Sequence, residues 1–135
     1  MTARAVSWSV LGLLVLSFVL MARPALAGDQ TLGLIKHRRN LINIMKRNVG
    51  KCEKALAQVK TYHKKNLADF KRKKKQTQDY INSLSEAGKK AYLKRISGKI
   101  MKLHRDMLQA ASRFGKKCPK QIQKMNPFIS DFSLQ

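Results

Sequence analysis

Cys52 and Cys118 stand at equal distances from Ser85, and that symmetry constrains the fold of this 135-residue chain more than any other feature. Ser83-Leu-Ser-Glu86, at the midpoint, reads as a capping box. In such a box the Ser83 hydroxyl accepts from the Glu86 amide while the Glu86 side chain reaches back, which starts a helix. On either side apolar residues recur in three- and four-residue steps. Before the midpoint they are Ile35, Ile42, Met45, Val49, Cys52, Leu56, Val59, Leu67 and Phe70, with Leu34 and Leu41 widening the stripe. After it they are Tyr92, Ile96, Ile100, Leu103, Met107, Ala111 and Phe114. A chain bent near residue 83 brings the cysteines together. It also sets Leu56 opposite Phe114, Val59 opposite Ala111, Leu67 opposite Leu103 and Phe70 opposite Ile100.

Alternating strand patterns are lacking, and the three prolines (Pro24, Pro119, Pro127) fall outside these stripes. The expected fold class is all-α: a disulfide-clasped antiparallel helical hairpin, completed to a small three-helix bundle. Asp29 or Thr31 suits the N-cap of the first helix, and Gly50 is expected to split it near Asn48 to Lys51. Gly115 is placed for a left-handed C-terminal cap, with Lys116 and Lys117 at the negative helix end. The stripe over residues 31–50 extends beyond the clasp and needs cover. A fold-back third helix supplies it, or Phe128, Ile129, Phe132 and Leu134 of the 119–135 tail, or a second copy in a homodimer.

The chain opens with a different kind of segment. Arg4 precedes the apolar run Val10 to Met21, and Pro24 then Ala25-Leu-Ala27 follow. That is the layout of a secretory signal peptide over residues 1–27, cleaved between Ala27 and Gly28. An uncleaved anchor is the alternative, since Ala5 to Ala22 is just long enough to span. Cleavage is the expectation because the strongly apolar part is short. Residues 28–118 then form the helical domain of a secreted or periplasmic protein. An even cysteine pair in an oxidising compartment reads as one disulfide, Cys52 to Cys118.

Of 29 basic residues only Arg4 and Arg23 leave with the leader, while all seven acidic ones remain, so the exported charge is near +20. Such a surplus attracts polyanions with a salt-dependent strength. For an exported chain those are lipopolysaccharide, anionic lipid, cell-wall polymers, acidic polysaccharide or extracellular DNA; cellular nucleic acid is not an expected partner. The densest positive segment is Lys64, Lys65, Lys71, Arg72, Lys73, Lys74 and Lys75, with Lys89 and Lys90 beyond the turn. No apolar residue occurs from Lys71 to Asp79, so this stretch is expected to stay solvated at the hairpin tip as an anion-docking site. Lysine outnumbers arginine there, which favours diffuse attraction over bidentate recognition.

Catalysis finds no support. The carboxylates are scattered singly, and no Gly-rich phosphate loop, nucleophile elbow or His-Glu-x-x-His occurs. His63 opposite Met107, with His104 a turn away, is the one arrangement with metal character, and a seam histidine satisfied by a neighbour explains it more simply. No metal or cofactor is expected. The plan of a small, exported, basic helical hairpin resembles the periplasmic Spy and CpxP chaperone group. The Leu-Thr-x-x-Gln repeats of that group are missing, so no residue role carries across. The expected function is non-enzymatic binding of anionic surfaces or polymers, with antimicrobial action as one outcome. The alternative is a periplasmic chaperone, adaptor or inhibitor that offers a basic helical face to an acidic protein.

Overall fold

The computed structural model describes residues 29–134; the expected leader and its Ala27–Gly28 cleavage point lie outside them. The described residues form four helices and no strand: α1 (Thr31–Arg47), α2 (Cys52–Ser83), α3 (Glu86–Lys117) and α4 (Pro119–Ser130). Cys52 and Cys118 are joined in a disulfide, tying the start of α2 to the end of α3.

Local chemistry explains several boundaries, although the N-cap of α1 is Gln30, which makes no side-chain cap, and not Asp29 or Thr31 as expected. α1 ends with Lys46 and Arg47 in its last turn, where positive charge suits the helix dipole. The Asn48 side chain donates to the Ile44 carbonyl at 2.7 Å and so occupies one acceptor the helix end leaves free. Gly50 then takes a φ of 82°, which an L side chain adopts only at a cost, and the chain reverses into α2. The expected break between Asn48 and Lys51 is therefore found.

Two other boundaries correct the sequence reading. The N-cap of α3 is Ser85, whose hydroxyl accepts from the Gly88 amide at 3.1 Å. Ser83 is still in the last turn of α2 and donates to the Tyr80 carbonyl at 2.6 Å. Leu84 and Ser85 are extended, so the capping residue sits two positions later than the Ser83 to Glu86 spacing suggests. Gly115 does not end α3 either; the helix runs on to Lys117. Pro119 disfavours helical backbone at Cys118, which leaves the helix at φ −133° and ψ 59°. Pro119 itself opens α4, where its missing N–H is not needed.

Packing also departs from a direct hairpin seam. α1 lies against both α2 and α3, and α4 lies against both as well, whereas α2 and α3 touch each other only sparsely. The bundle has four helices rather than three because the tail from Pro119 is itself helical and wedges between the long ones. Leu41, Ile42 and Met45 of α1 share one core with Val59 and Phe70 of α2 and Leu103 and Phe114 of α3; Met125 of α4 and Phe132 complete it. All of these are essentially inaccessible to solvent. Leu56 belongs to the same core, while Leu67 and Ala111 are half-buried at its edge.

The tail is held by polar contacts as well. Arg38 donates to the Phe132 carbonyl at 2.9 Å, and Lys74 donates to the Ser133 carbonyl at 3.0 Å. The Phe132 ring lies 5.0 Å from that of Phe70 and 5.6 Å from that of Tyr62. Apart from the exposed Val49, the stripe of residues 31–50 is thus covered within one chain by α2, α3 and the tail.

Two glycines give a test with opposite signs. Neither Gly50 nor Gly98 has an atom within 4 Å of where a Cβ would sit, so space decides nothing at either. Gly50→Ala places a side chain at positive φ and should destabilise by about 1–2 kcal/mol. Gly98→Ala, in the exposed middle of α3, should stabilise by up to ~1 kcal/mol. Thermal melts of the two variants should move in opposite directions; a shared direction would contradict the assigned backbone at residue 50.

Candidate functional site

α2 is long, yet its buried residues form one narrow line: Ala55, Leu56, Val59, Phe70 and Thr77. The rest of its circumference is left to polar residues. Lys54, Lys60, Lys64, Lys65, Lys71, Arg72 and Lys75 are all exposed there. Between α1 and α2 this surface dips into a shallow groove of about 520 Å³. Arg47, Lys54 and Lys65 border the groove, and Gln58, Thr61, Tyr62 and Asn66 supply neutral hydrogen-bonding groups. No carboxylate lines it. Ile44 and Ala57 complete the lining, and the Tyr62 hydroxyl is engaged by His37, so the three cations supply the attraction for an anionic group, with the Gln58 amide and Thr61 hydroxyl beside them.

The sequence-predicted site residues divide in two. Lys64, Lys65, Lys71, Arg72, Lys75 and Lys90 are exposed, while Lys73, Lys74 and Lys89 are half-buried. Lys73 pairs with Asp69 at 2.8 Å, and its alkyl stem lies where a Cβ at Gly33 would need room. Lys74 holds the Ser133 carbonyl, and Lys89 pairs with Glu86 at 3.4 Å. Arg72, though exposed, reaches Asp69 at 2.5 Å. Thr77 is buried, so the stretch from Lys71 to Asp79 is not solvated throughout. Nor do the cations gather at the turn. At 1.5 Å per residue Lys75 lies about 12 Å from the end of α2, and Lys64 about 28 Å. They line the helix instead.

A buried polar group that sequence reasoning passed over supports this surface from beneath. His37 of α1 points between Tyr62, Phe70 and Phe132. Its Nε2 is 2.8 Å from Asp69 Oδ2, and its Nδ1 is 2.5 Å from the Tyr62 hydroxyl. Tyr62 also accepts from the Asn40 amide at 3.1 Å. With Nε2–H donating to Asp69, Nδ1 accepts the Tyr62 O–H, so each polar atom in the chain has a partner. Lys73 first, then His37 and Arg72, hold the Asp69 carboxyl well below the usual carboxylate range, against a smaller opposing effect of burial. Burial is the main cause that pushes the Tyr62 hydroxyl up, with the Asp69 charge adding to it. His37 was overlooked because it sits in the apolar stripe of α1 at a position suited to a core residue. The pattern His37-Asn40 at i, i+3 was its only signal.

The histidines weighed for a metal are placed otherwise. His63 meets Asp131 at 2.7 Å and lies edge-on to Phe128, and His104 is exposed on α3. Among the described residues no group of three or more His, Cys, Asp or Glu could hold a metal ion. Nor is any described helix long and apolar enough to cross a membrane. No protein-family model, curated protein or solved structure matches this chain.

The Asp69 network makes stability depend on pH with a definite sign. A carboxyl lowered by folding adds stability above its unfolded value, near pH 3.9, and loses it as pH falls below that. Asp69→Asn should therefore melt below the parent near pH 7, and the gap should narrow on acidification below about pH 4. A gap that stays constant through that window would mean that the ionised Asp69 is not what ties α2 to α1.

Proposed function

We propose that this is an exported, non-enzymatic, cationic helical protein that binds anionic surfaces or polymers through the outer face of α2. Lipopolysaccharide, anionic lipid and cell-wall or extracellular polyanions are the partner class. In this reading α2 and α3 act as a clasped antiparallel hairpin whose rigidity keeps the lysines spread along a line. The observation that carries the proposal is the uncompensated charge on α2. Lys54, Lys60, Lys64, Lys65, Lys71 and Lys75 are exposed with no ion pair to a carboxylate among the described residues. Repulsion along that face costs stability, and an anionic polymer relieves it. The groove at Arg47, Lys54 and Lys65 adds a place where a single phosphate, sulfate or carboxylate group seats.

Replacing Arg47, Lys54, Lys65, Lys71 and Lys75 by Gln tests the reading without touching a buried position. Each cation near an anionic surface contributes about 1 kcal/mol at low salt. Affinity for heparin should therefore fall by roughly three to four decades if all five engage. The dependence on salt should also become shallower, because fewer counterions are released. Equal affinity and equal salt slope in parent and variant, with circular dichroism showing both folded, would refute the proposal. An acidic protein partner docking on a shaped interface would then be the better reading.

A further inference from the structure

α3 carries a second apolar face that the core does not use. Its core side is Tyr92, Leu103, Met107, Ala110 and Phe114. Leu93, Met101 and Leu108 point elsewhere and are 56%, 63% and 57% exposed. Spaced eight and seven residues apart, they fall within one sector of about 80° and span about 22 Å along the helix. Such a stripe is unusual on a chain this charged, and it is not repeated. The other exposed large apolar residues among those described are Leu32 of α1 and Val49 of the α1–α2 link, so α2 and α4 have none. The lysine-rich face of α2 and the apolar stripe of α3 are therefore separate surfaces.

The surroundings of the stripe indicate its occupant. Lys90, Lys94, Lys102 and Arg105 are exposed on the same helix around it. Beside Met101 a groove of about 430 Å³ runs between α3 and the tail, floored by Ile100, Leu103 and Leu134 and flanked by Arg38 and Arg105. Arg38 keeps one guanidinium nitrogen on the Phe132 carbonyl. Apolar residues in a row, with long cationic side chains beside them, match a helix that lies in the plane of a membrane interface. The apolar residues enter the acyl boundary while lysine and arginine stems extend back to the headgroups. A soluble polysaccharide offers nothing for Leu93, Met101 and Leu108 to enter, whereas an anionic bilayer satisfies both the charge and the apolar row.

We infer that the outer face of α3 docks on anionic bilayers and inserts Leu93, Met101 and Leu108 at the headgroup boundary. This rests on the anion-binding reading above and narrows it to a lipid surface for this face. The helix lies on the membrane and does not cross it.

The experiment uses two probes in parallel: heparin, and vesicles of mixed phosphatidylcholine and phosphatidylglycerol. Leu93→Ser, Met101→Ser and Leu108→Ser combined should lower vesicle partitioning by about a hundredfold while leaving heparin affinity within about twofold of the parent. Independently, Leu108→Trp in the exported chain from Gly28, which has no tryptophan of its own, makes the reporter the sole tryptophan. Its emission should shift to the blue on these vesicles and be quenched by brominated acyl chains. Ala68→Trp, on the exposed side of α2, should do neither in the same background. Heparin binding with an unshifted Leu108→Trp and an unaffected triple serine variant would overturn the bilayer inference alone. A parent that binds neither heparin nor vesicles would overturn the anion-binding reading and this inference with it.

Discussion

The two long helices are covalently joined at both ends yet scarcely pack on each other, and the rest of the structure follows from that. Leu84 and Ser85 link them at one end and Cys52–Cys118 at the other. The disulfide closes a loop of 66 residues, a constraint on the unfolded chain of about 4 kcal/mol in the entropic account. Such a frame fixes the length of the space between the helices but does not fill it. α1 and α4 do so from either side, which is why Leu41, Ile42 and Met45 are as deeply buried as Phe70 and Phe114. A shorter loop or a free tail would leave the apolar lines of α2 and α3 half covered.

Charge shapes the molecule as strongly as apolar burial does. With seven carboxylates against 29 basic residues, neutralising the surface is out of reach. Five of the seven are placed instead where elements meet. Asp69 joins α2 to His37 of α1, Asp106 joins α3 to Arg39 of α1, and Asp131 joins the tail to His63 of α2. Asp29 reaches Arg95 of α3, and Glu53 accepts from Gln121 of α4. Arg39 holds the Asp106 carboxyl below its ordinary range. Attraction is thus concentrated at helix junctions, and repulsion is left on the outer faces. Exposed pairs of this kind add little each, but they act at the points where like charges would otherwise drive elements apart.

Much of this was legible in the sequence, for identifiable reasons. Three- and four-residue apolar steps imply helices, and the Cys52, Ser85, Cys118 symmetry implies which ends meet. Gly50 marked a true break because positive φ leaves few other residues. Periodicity names the buried face of a helix but not its neighbour, so the apolar line of α2 was assigned to α3 when α1 and α4 cover it. The fourth helix has its own signal in the tail, where Met125, Phe128, Ile129 and Phe132 show helical spacing after Pro119. The positive site was legible as composition only. Lys73 and Lys74 look identical to Lys71 and Lys75 in a run, and only the helix phase turns one pair inward toward Asp69 and Ser133. His37 was illegible for the converse reason, as a polar residue at a core position whose partners lie 25 and 32 residues away.

The placement of α1 and α4 has a consequence for how two outer faces work together. Each of these helices touches both α2 and α3, and the long helices hardly meet, so the outer faces of α2 and α3 are distinct surfaces. One is a line of lysines without large apolar residues; the other interleaves lysine and arginine with Leu93, Met101 and Leu108. On the bilayer reading proposed above, α3 supplies the row that enters the lipid boundary and α2 supplies a cationic line without such a row. The apolar row gives α3 an affinity for lipid that lysines alone do not supply, while the Cys52–Cys118 closure holds both long helices in one frame.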